Sequence, residues 1–226
     1  METTNPAIRW VGMAKVTIEV MLPILIVLTS LRLLLTDAFI QVEYRTPNFP
    51  ADPYGFSFDD RTLWSSRTLE WLIGRGDVDD LAQIRFDDGT AIYNSRELGH
   101  MDDVKTLTST FLTVWRIGMV LTIALGIALW RSGRMEVLGE ALRVGAKLTV
   151  LILIGVGLLL AVSFSFVFVG FHRLFFEGNT WIFPYSDTLI RLFPERFWRD
   201  VFLWLLGLSV GLAVLINLLG KRFLKN

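Results

Sequence analysis

Apolar residues gather in four runs, from about Ala14 to Leu35, Leu107 to Trp130, Ala146 to Phe171 and Val201 to Gly220, with charged and turn-forming residues between them. Each run approaches or exceeds the roughly 20 residues that a helix rising 1.5 Å per residue needs to cross a hydrocarbon core of about 30 Å. The pattern predicts four transmembrane helices. The first run follows Arg9 and Lys15 as a secretion signal would, but it is long and no small-residue cleavage site follows it, so it reads as a retained anchor.

Between the first two runs the pattern changes to that of a small folded cap. Phe39 to Tyr44 is β-favouring and predicts an extended stretch, after which Pro47, Pro50, Pro53 and Gly55 punctuate the chain. Leu63, Trp64, Leu69, Trp71 and Leu72 predict a short helix from about Arg61 to Ile73. Ile84 and Phe86, then Asp87-Asp88-Gly89, then Ala91 and Tyr93 have the pattern of a hairpin closed by an Asp-Gly turn. The expected fold is an all-α membrane bundle of four transmembrane helices with a small α+β extracellular cap between helices one and two. Residues 1–38 form the tail and first helix, 39–106 the cap, and 107–226 helices two to four with an aromatic outer loop at 172–199.

Composition agrees with a bilayer as first solvent: 53% of residues are hydrophobic and the net charge is zero. Lys and Arg set the orientation. Arg9 and Lys15 precede the first helix, Arg131, Arg134, Arg143 and Lys147 lie between helices two and three, and Lys221, Arg222 and Lys225 end the chain. Both termini are therefore expected in the cytoplasm, and the cap and the loop after helix three outside, although that loop carries arginines of its own. The chain has no cysteine, which excludes a disulfide framework, a thiolate metal site and a thiol nucleophile. No basic run invites nucleic acid.

Candidate chemistry centres on the two histidines. His100 lies just before the second run and His172 just after the third, so the topology sends both to the outer boundary of the bilayer. A single histidine there is ordinarily a polar side chain at a wet surface. Two of them, with an unperturbed pKa near 6.5, suit proton transfer at neutral pH. Two imidazoles within about 10 Å of each other would both reach one small group, given a hydrogen-bond reach of about 3 Å. Glu97 is positioned to orient the His100 ring, while Asp102 and Asp103 suit the positive end of the second helix, where capping accounts for them. Arg116 falls inside the second run, where a charge costs several kcal/mol unless paired or solvated, so it marks a polar cavity or an ion pair with Asp37 or Asp187. The aromatic residues Phe171, Phe175, Phe176, Trp181, Phe183, Tyr185, Phe193, Phe197 and Trp198 have the density of an interfacial belt.

Val42-Glu43-Tyr44, Asp52-Pro53-Tyr54-Gly55 with Arg61, the segment Glu97 to Lys105 around His100, and Gly170-Phe171-His172-Arg173-Leu174-Phe175-Phe176 resemble the bacterial lipoprotein intramolecular transacylases, and Trp181, Phe183, Asp187 to Ile190, Leu192 to Pro194 and Phe197-Trp198 continue the likeness. The resemblance covers most of the chain. It implies an enzyme of the bacterial plasma membrane that needs no cofactor or metal, with membrane lipids around it and a diacylglyceryl lipoprotein as substrate. The sn-2 acyl chain would move to the α-amino group of the N-terminal cysteine, leaving a lyso-form lipoprotein. His100 and His172 are then the expected catalytic pair, Arg116, Tyr44, Trp181 and Trp198 the expected substrate-binding residues, and Glu97, Asp102 and Asp187 structural or orienting. Two other readings stand beside this one: a metal-dependent membrane lipid hydrolase built on both histidines and a carboxylate such as Asp102, and a non-catalytic lipid- or protein-binding module.

Overall fold

The computed structural model describes residues 6–224, so the basic Lys225 of the C-terminal tail lies outside the described residues. Among these the chain forms α1 (Pro6–Leu34), α2 (Asp37–Glu43), α3 (Phe58–Ile73), α4 (Val78–Ala82), α5 (Ser95–Arg131), α6 (Met135–Val162), α7 (Phe164–Phe175), α8 (Thr188–Leu192) and α9 (Glu195–Phe223). Four of them, α1 from Arg9, α5, α6 and α9, are long and apolar enough to cross a membrane. The residues divide into two compact units. One holds the chain up to Leu31, Leu112–Ala161 and the residues from Leu205, and the other holds Arg32–Phe111 and Val162–Trp204.

The first unit is built on α1, which contributes to both of its cores. Ala14 and Ile18 pack with Leu129 of α5 and Ala141 of α6, and Leu22 and Ile26 pack with Ala146 of α6 and Ala213 of α9. The opposite faces of the partner helices stay open, with Ile117, Val120, Leu151, Leu158 and Leu215 exposed, as lipid-facing positions are. Small polar groups join the helices: Ser209 Oγ donates to Ser30 Oγ at 2.9 Å, and Trp115 Nε1 donates to Thr29 Oγ1 at 3.0 Å. Glycine allows the closest approach, between α6 and α9. A Cβ at Gly220 would stand 2.7 Å from the Gly139 carbonyl oxygen, and one at Gly139 2.8 Å from the Gly220 carbonyl oxygen. Neither backbone can give way without separating the helices. Gly220→Ala is expected to destabilise the protein by about 1 to 3 kcal/mol, seen as an earlier thermal transition in detergent, whereas Gly12→Ala, with open space around it, leaves the transition in place.

The second unit is helical, and here the sequence-based expectation of an α+β cap needs correction. Among the described residues there is no strand. Phe39 to Tyr44 lies in α2 and its C-cap, because Thr36 Oγ1 accepts from the Phe39 N–H and the buried positions Ile40, Glu43 and Tyr44 recur at helical spacing. The expected hairpin shrinks to a single bridge between Arg85 and Ala91. The Asp-Gly turn is present, with Gly89 at φ +83°, but too few pairs follow it to make a ladder. The short helix is found as α3, starting earlier than expected because Ser57 and Asp60 form a capping box. The third apolar run also breaks: α6 stops at Val162, and Ser163, extended at φ −160° and ψ 110°, caps α7 by accepting from Phe166 N–H. Its core joins Trp64 and Trp71 of α3, Leu81 of α4, Ile92, Tyr93, Met101 of α5, and Leu189 and Leu192 of α8.

Candidate active site

α5 begins at Ser95, well ahead of the apolar run. Asn94 is the reason: its side-chain oxygen accepts from the N–H groups of Arg96 and Glu97, and Glu97 Oε2 accepts from the Asn94 N–H at 2.8 Å. This reciprocal cap starts a helix that places His100 in its second turn. Asp102 and Asp103, expected at the helix end, are thus inside it and exposed.

Glu97 does not reach the His100 ring as expected. Its second oxygen accepts the Leu189 N–H at 2.7 Å, tying the first turn of α8 to the first turn of α5. The carboxylate is fully committed at 2% exposure, and a negative charge at two helix N-termini is favourable. Glu97 therefore fixes the ground under His100, not its tautomer. Asp187, the N-cap of α8, is ion-paired with Arg96 at 2.7 Å.

His172 enters from α7, whose helical spacing sets Phe168 one turn behind it. His172 Nδ1 lies 2.8 Å from the Phe168 carbonyl oxygen. A carbonyl can only accept, so Nδ1 carries the proton and Nε2 the lone pair. Burial lowers the His172 pKa from its ordinary value, against the contrary pull of the Phe168 carbonyl, so the neutral form prevails at pH 7.

The two imidazoles lie stacked, with centroids 6.2 Å apart and planes inclined by 23°. Aromatic rings close around them. Phe176 is 4.9 Å from His100 and 5.5 Å from His172, Phe183 is 5.4 Å from His100, and Phe168 and Trp181 are 4.2 Å and 4.7 Å from His172. His100 Nδ1 and Trp181 Nε1 are buried and have no hydrogen-bond partner among the described residues. A partly buried cage thus holds a lone pair on one imidazole and unpartnered nitrogens on the second imidazole and an indole.

Tyr44, Trp198 and Arg116 are the other expected substrate-binding residues. Tyr44 is buried in the frame, its hydroxyl 2.5 Å from Ser65 Oγ and donating to the Leu192 carbonyl at 2.6 Å. Trp198 stands one ring away from the histidines, 6.5 Å from Phe168. Arg116 belongs to the first unit and is exposed. Its two candidate partners are engaged in the second unit, Asp37 with Ser66 and Asp187 with Arg96. No group of three or more His, Asp or Glu at metal-binding distance forms among the described residues, and the exposed Asp102 completes none. Phe168 and Asn94 were missed in the sequence. Phe168 was legible as the residue one helical turn before His172, and Asn94 as the first half of a capping box with Glu97.

A family model described as lipoprotein intramolecular transacylase Lit matches residues 16–198. A protein of Aquifex aeolicus described as uncharacterized is 31% identical over 206 residues, covering 87% of this chain and 89% of its own. The fold is shared with the membrane-integral lipoprotein intramolecular transacylase Lit of Bacillus cereus at a TM-score of 0.81 and 20% identity, over 96% of this chain and 97% of that one. A second structure of that transacylase, carrying a substitution at one histidine, matches at a TM-score of 0.75 and 19% identity, over 96% of this chain and 93% of that one.

Proposed function

Because this chain belongs to the lipoprotein intramolecular transacylase family and carries four helices fit to span a bilayer, we propose that it moves the sn-2 acyl chain of a diacylglyceryl lipoprotein onto the α-amino group of that lipoprotein's N-terminal cysteine. The observation that carries the reading is the His172 Nδ1 bond to the Phe168 carbonyl beside a stacked second imidazole, which leaves a basic nitrogen free in an aromatic cage.

The reaction converts an ester and an ammonium into an amide and an alcohol with release of one proton. The α-ammonium, with a pKa near 8, first loses a proton to become nucleophilic. Its nitrogen then attacks the ester carbonyl carbon, and His172 Nε2 takes a second proton from the nitrogen that has attacked. As the tetrahedral intermediate collapses, the bond from carbonyl carbon to glyceryl oxygen breaks, and the His172 imidazolium returns that proton to the leaving oxygen. His100 holds the leaving oxygen by N–H donation; stacked rings at 6.2 Å also disfavour charging both imidazoles at once. Amine and ester are already tethered, so no enzyme nucleophile is needed, since well-oriented intramolecular reactions reach effective molarities of about 10⁵ M or more. The aromatic walls keep out the water that would turn transfer into hydrolysis. With the cap and both histidines on the outer face, as the charge pattern suggests, the site meets lipoproteins exported across the bacterial membrane.

The test is a pH profile of lyso-form production by the reconstituted protein. Below about pH 8 the rate falls tenfold per unit because the substrate amine protonates, and it steepens to a hundredfold per unit only when His172 also protonates. Burial depresses that second ionisation, so the bend lies below about 6.5. A bend at or above that value, or one that survives in His172→Ala, contradicts the assignment of His172 as base.

A further inference from the structure

Trp181 sits in a turn that follows Gly178, held at φ +59°, and is closed by Ile182 N–H donating to the Asn179 carbonyl at 3.1 Å. The turn lays the indole against His172, with centroids 4.7 Å apart and planes inclined by 37°. Its Nε1 is buried without an acceptor. Trp71, a buried indole of the same unit, does have an acceptor: its Nε1 donates to the Asp77 carbonyl at 2.5 Å. A buried unpaired N–H costs about 1 to 3 kcal/mol, and such exceptions call for an explanation. Ring packing alone does not call for an indole, because Phe168, Phe171 and Phe176 also pack against His172 and carry no polar side-chain atom. Indole nitrogen is a donor only, so whatever completes it must be an acceptor, and it must reach the ring that packs on the base.

We infer that the Trp181 indole N–H is the electrophilic donor of the site, binding the carbonyl oxygen of the ester under attack and stabilising the oxyanion that this oxygen becomes. The inference rests on the acyl-transfer reading and adds a third role to it: His172 moves the proton, His100 holds the leaving oxygen, and Trp181 holds the oxyanion. A fixed donor in a cage of phenyl rings, where water does not compete, is effective for this purpose. No bond is made or broken by the indole, and its hydrogen stays on nitrogen.

Trp181→Phe removes the donor and keeps an aromatic ring. With a synthetic diacylglyceryl lipopeptide, kcat is expected to fall by about 10²-fold while KM changes by less than about threefold. A second readout separates donation from packing. Replacing the scissile ester carbonyl by a thiocarbonyl weakens the acceptor, so the substitution slows the native protein far more than it slows Trp181→Phe. If Trp181→Phe fails to fold, benzothienylalanine at this position preserves the bicyclic shape without the N–H and is expected to show the same two effects. Native kcat in a folded variant, or an equal thiocarbonyl effect in both proteins, overturns the inference. His172→Ala run alongside keeps the two claims apart: an active His172→Ala sinks the acid-base scheme, whereas an inactive His172→Ala beside a fully active Trp181→Phe sinks only the role of the indole.

Discussion

His172→Ala is expected to lower formation of lyso-form lipopeptide by at least about 10³-fold while the protein still inserts and unfolds at nearly the native temperature. The side chain is only half-buried at the edge of the cage, and its one hydrogen bond is to a carbonyl of its own helix, so its removal frees no buried donor. What is lost is the lone pair on Nε2, the only nitrogen lone pair in the cage whose tautomer the backbone fixes. His172→Gln retains volume and a donor to the Phe168 carbonyl but offers no base of suitable pKa, and it should be as inactive as His172→Ala. His100→Ala is expected to be inactive too, since without it the leaving oxygen loses the N–H that holds it within reach of the His172 imidazolium. Turnover above a tenth of native in His172→Gln would remove general-base catalysis from the account.

Glu97→Ala has the second large effect, and it acts through the frame. The change strips acceptors from the Asn94 and Leu189 N–H groups, the first part-buried and the second buried. The abandoned buried donor at Leu189 costs about 1 to 3 kcal/mol, and the part-buried one at Asn94, which water can reach, adds less, so a fall in thermal midpoint is expected. The tie between α5 and α8 goes with it, so His100 loses its fixed position and the fraction that stays folded turns over slowly. Glu97→Gln restores one acceptor and turns an amide N–H toward the other donor, which predicts a partial rescue only. A Glu97→Ala protein with native midpoint and native kcat would show that the staple positions nothing.

Much of this was legible in the chain, and the misses have physical causes. Four spans could be read because a bilayer demands long apolar runs, and the meeting of His100 and His172 follows from two runs ending on one side. The break at Ser163 was hidden because hydrophobicity is continuous across it, and only the cap, one small hydroxyl residue before Phe166, marks the new helix. Phe39 to Tyr44 reads as β by residue type, yet the Thr36 cap and the burial of Ile40, Glu43 and Tyr44 on one face decide for helix. Glu97 was read as a partner for the nearest imidazole in sequence. The competing donor, the Leu189 N–H, is 92 residues away, and no local pattern announces it. Arg116, expected near the substrate from its depth in a span, is exposed and belongs to the first unit.

The most direct measurement uses purified protein in proteoliposomes and a diacylglyceryl lipopeptide whose sn-2 acyl chain and peptide carry different isotope labels, mixed with unlabelled lipopeptide and followed by tandem mass spectrometry. Transfer within one molecule predicts that the labelled acyl chain appears as an amide on its own labelled peptide, with no scrambling between molecules and no free fatty acid. Labelled chains on unlabelled peptides, release of the chain as free acid, or recovery of unchanged lipopeptide would contradict it.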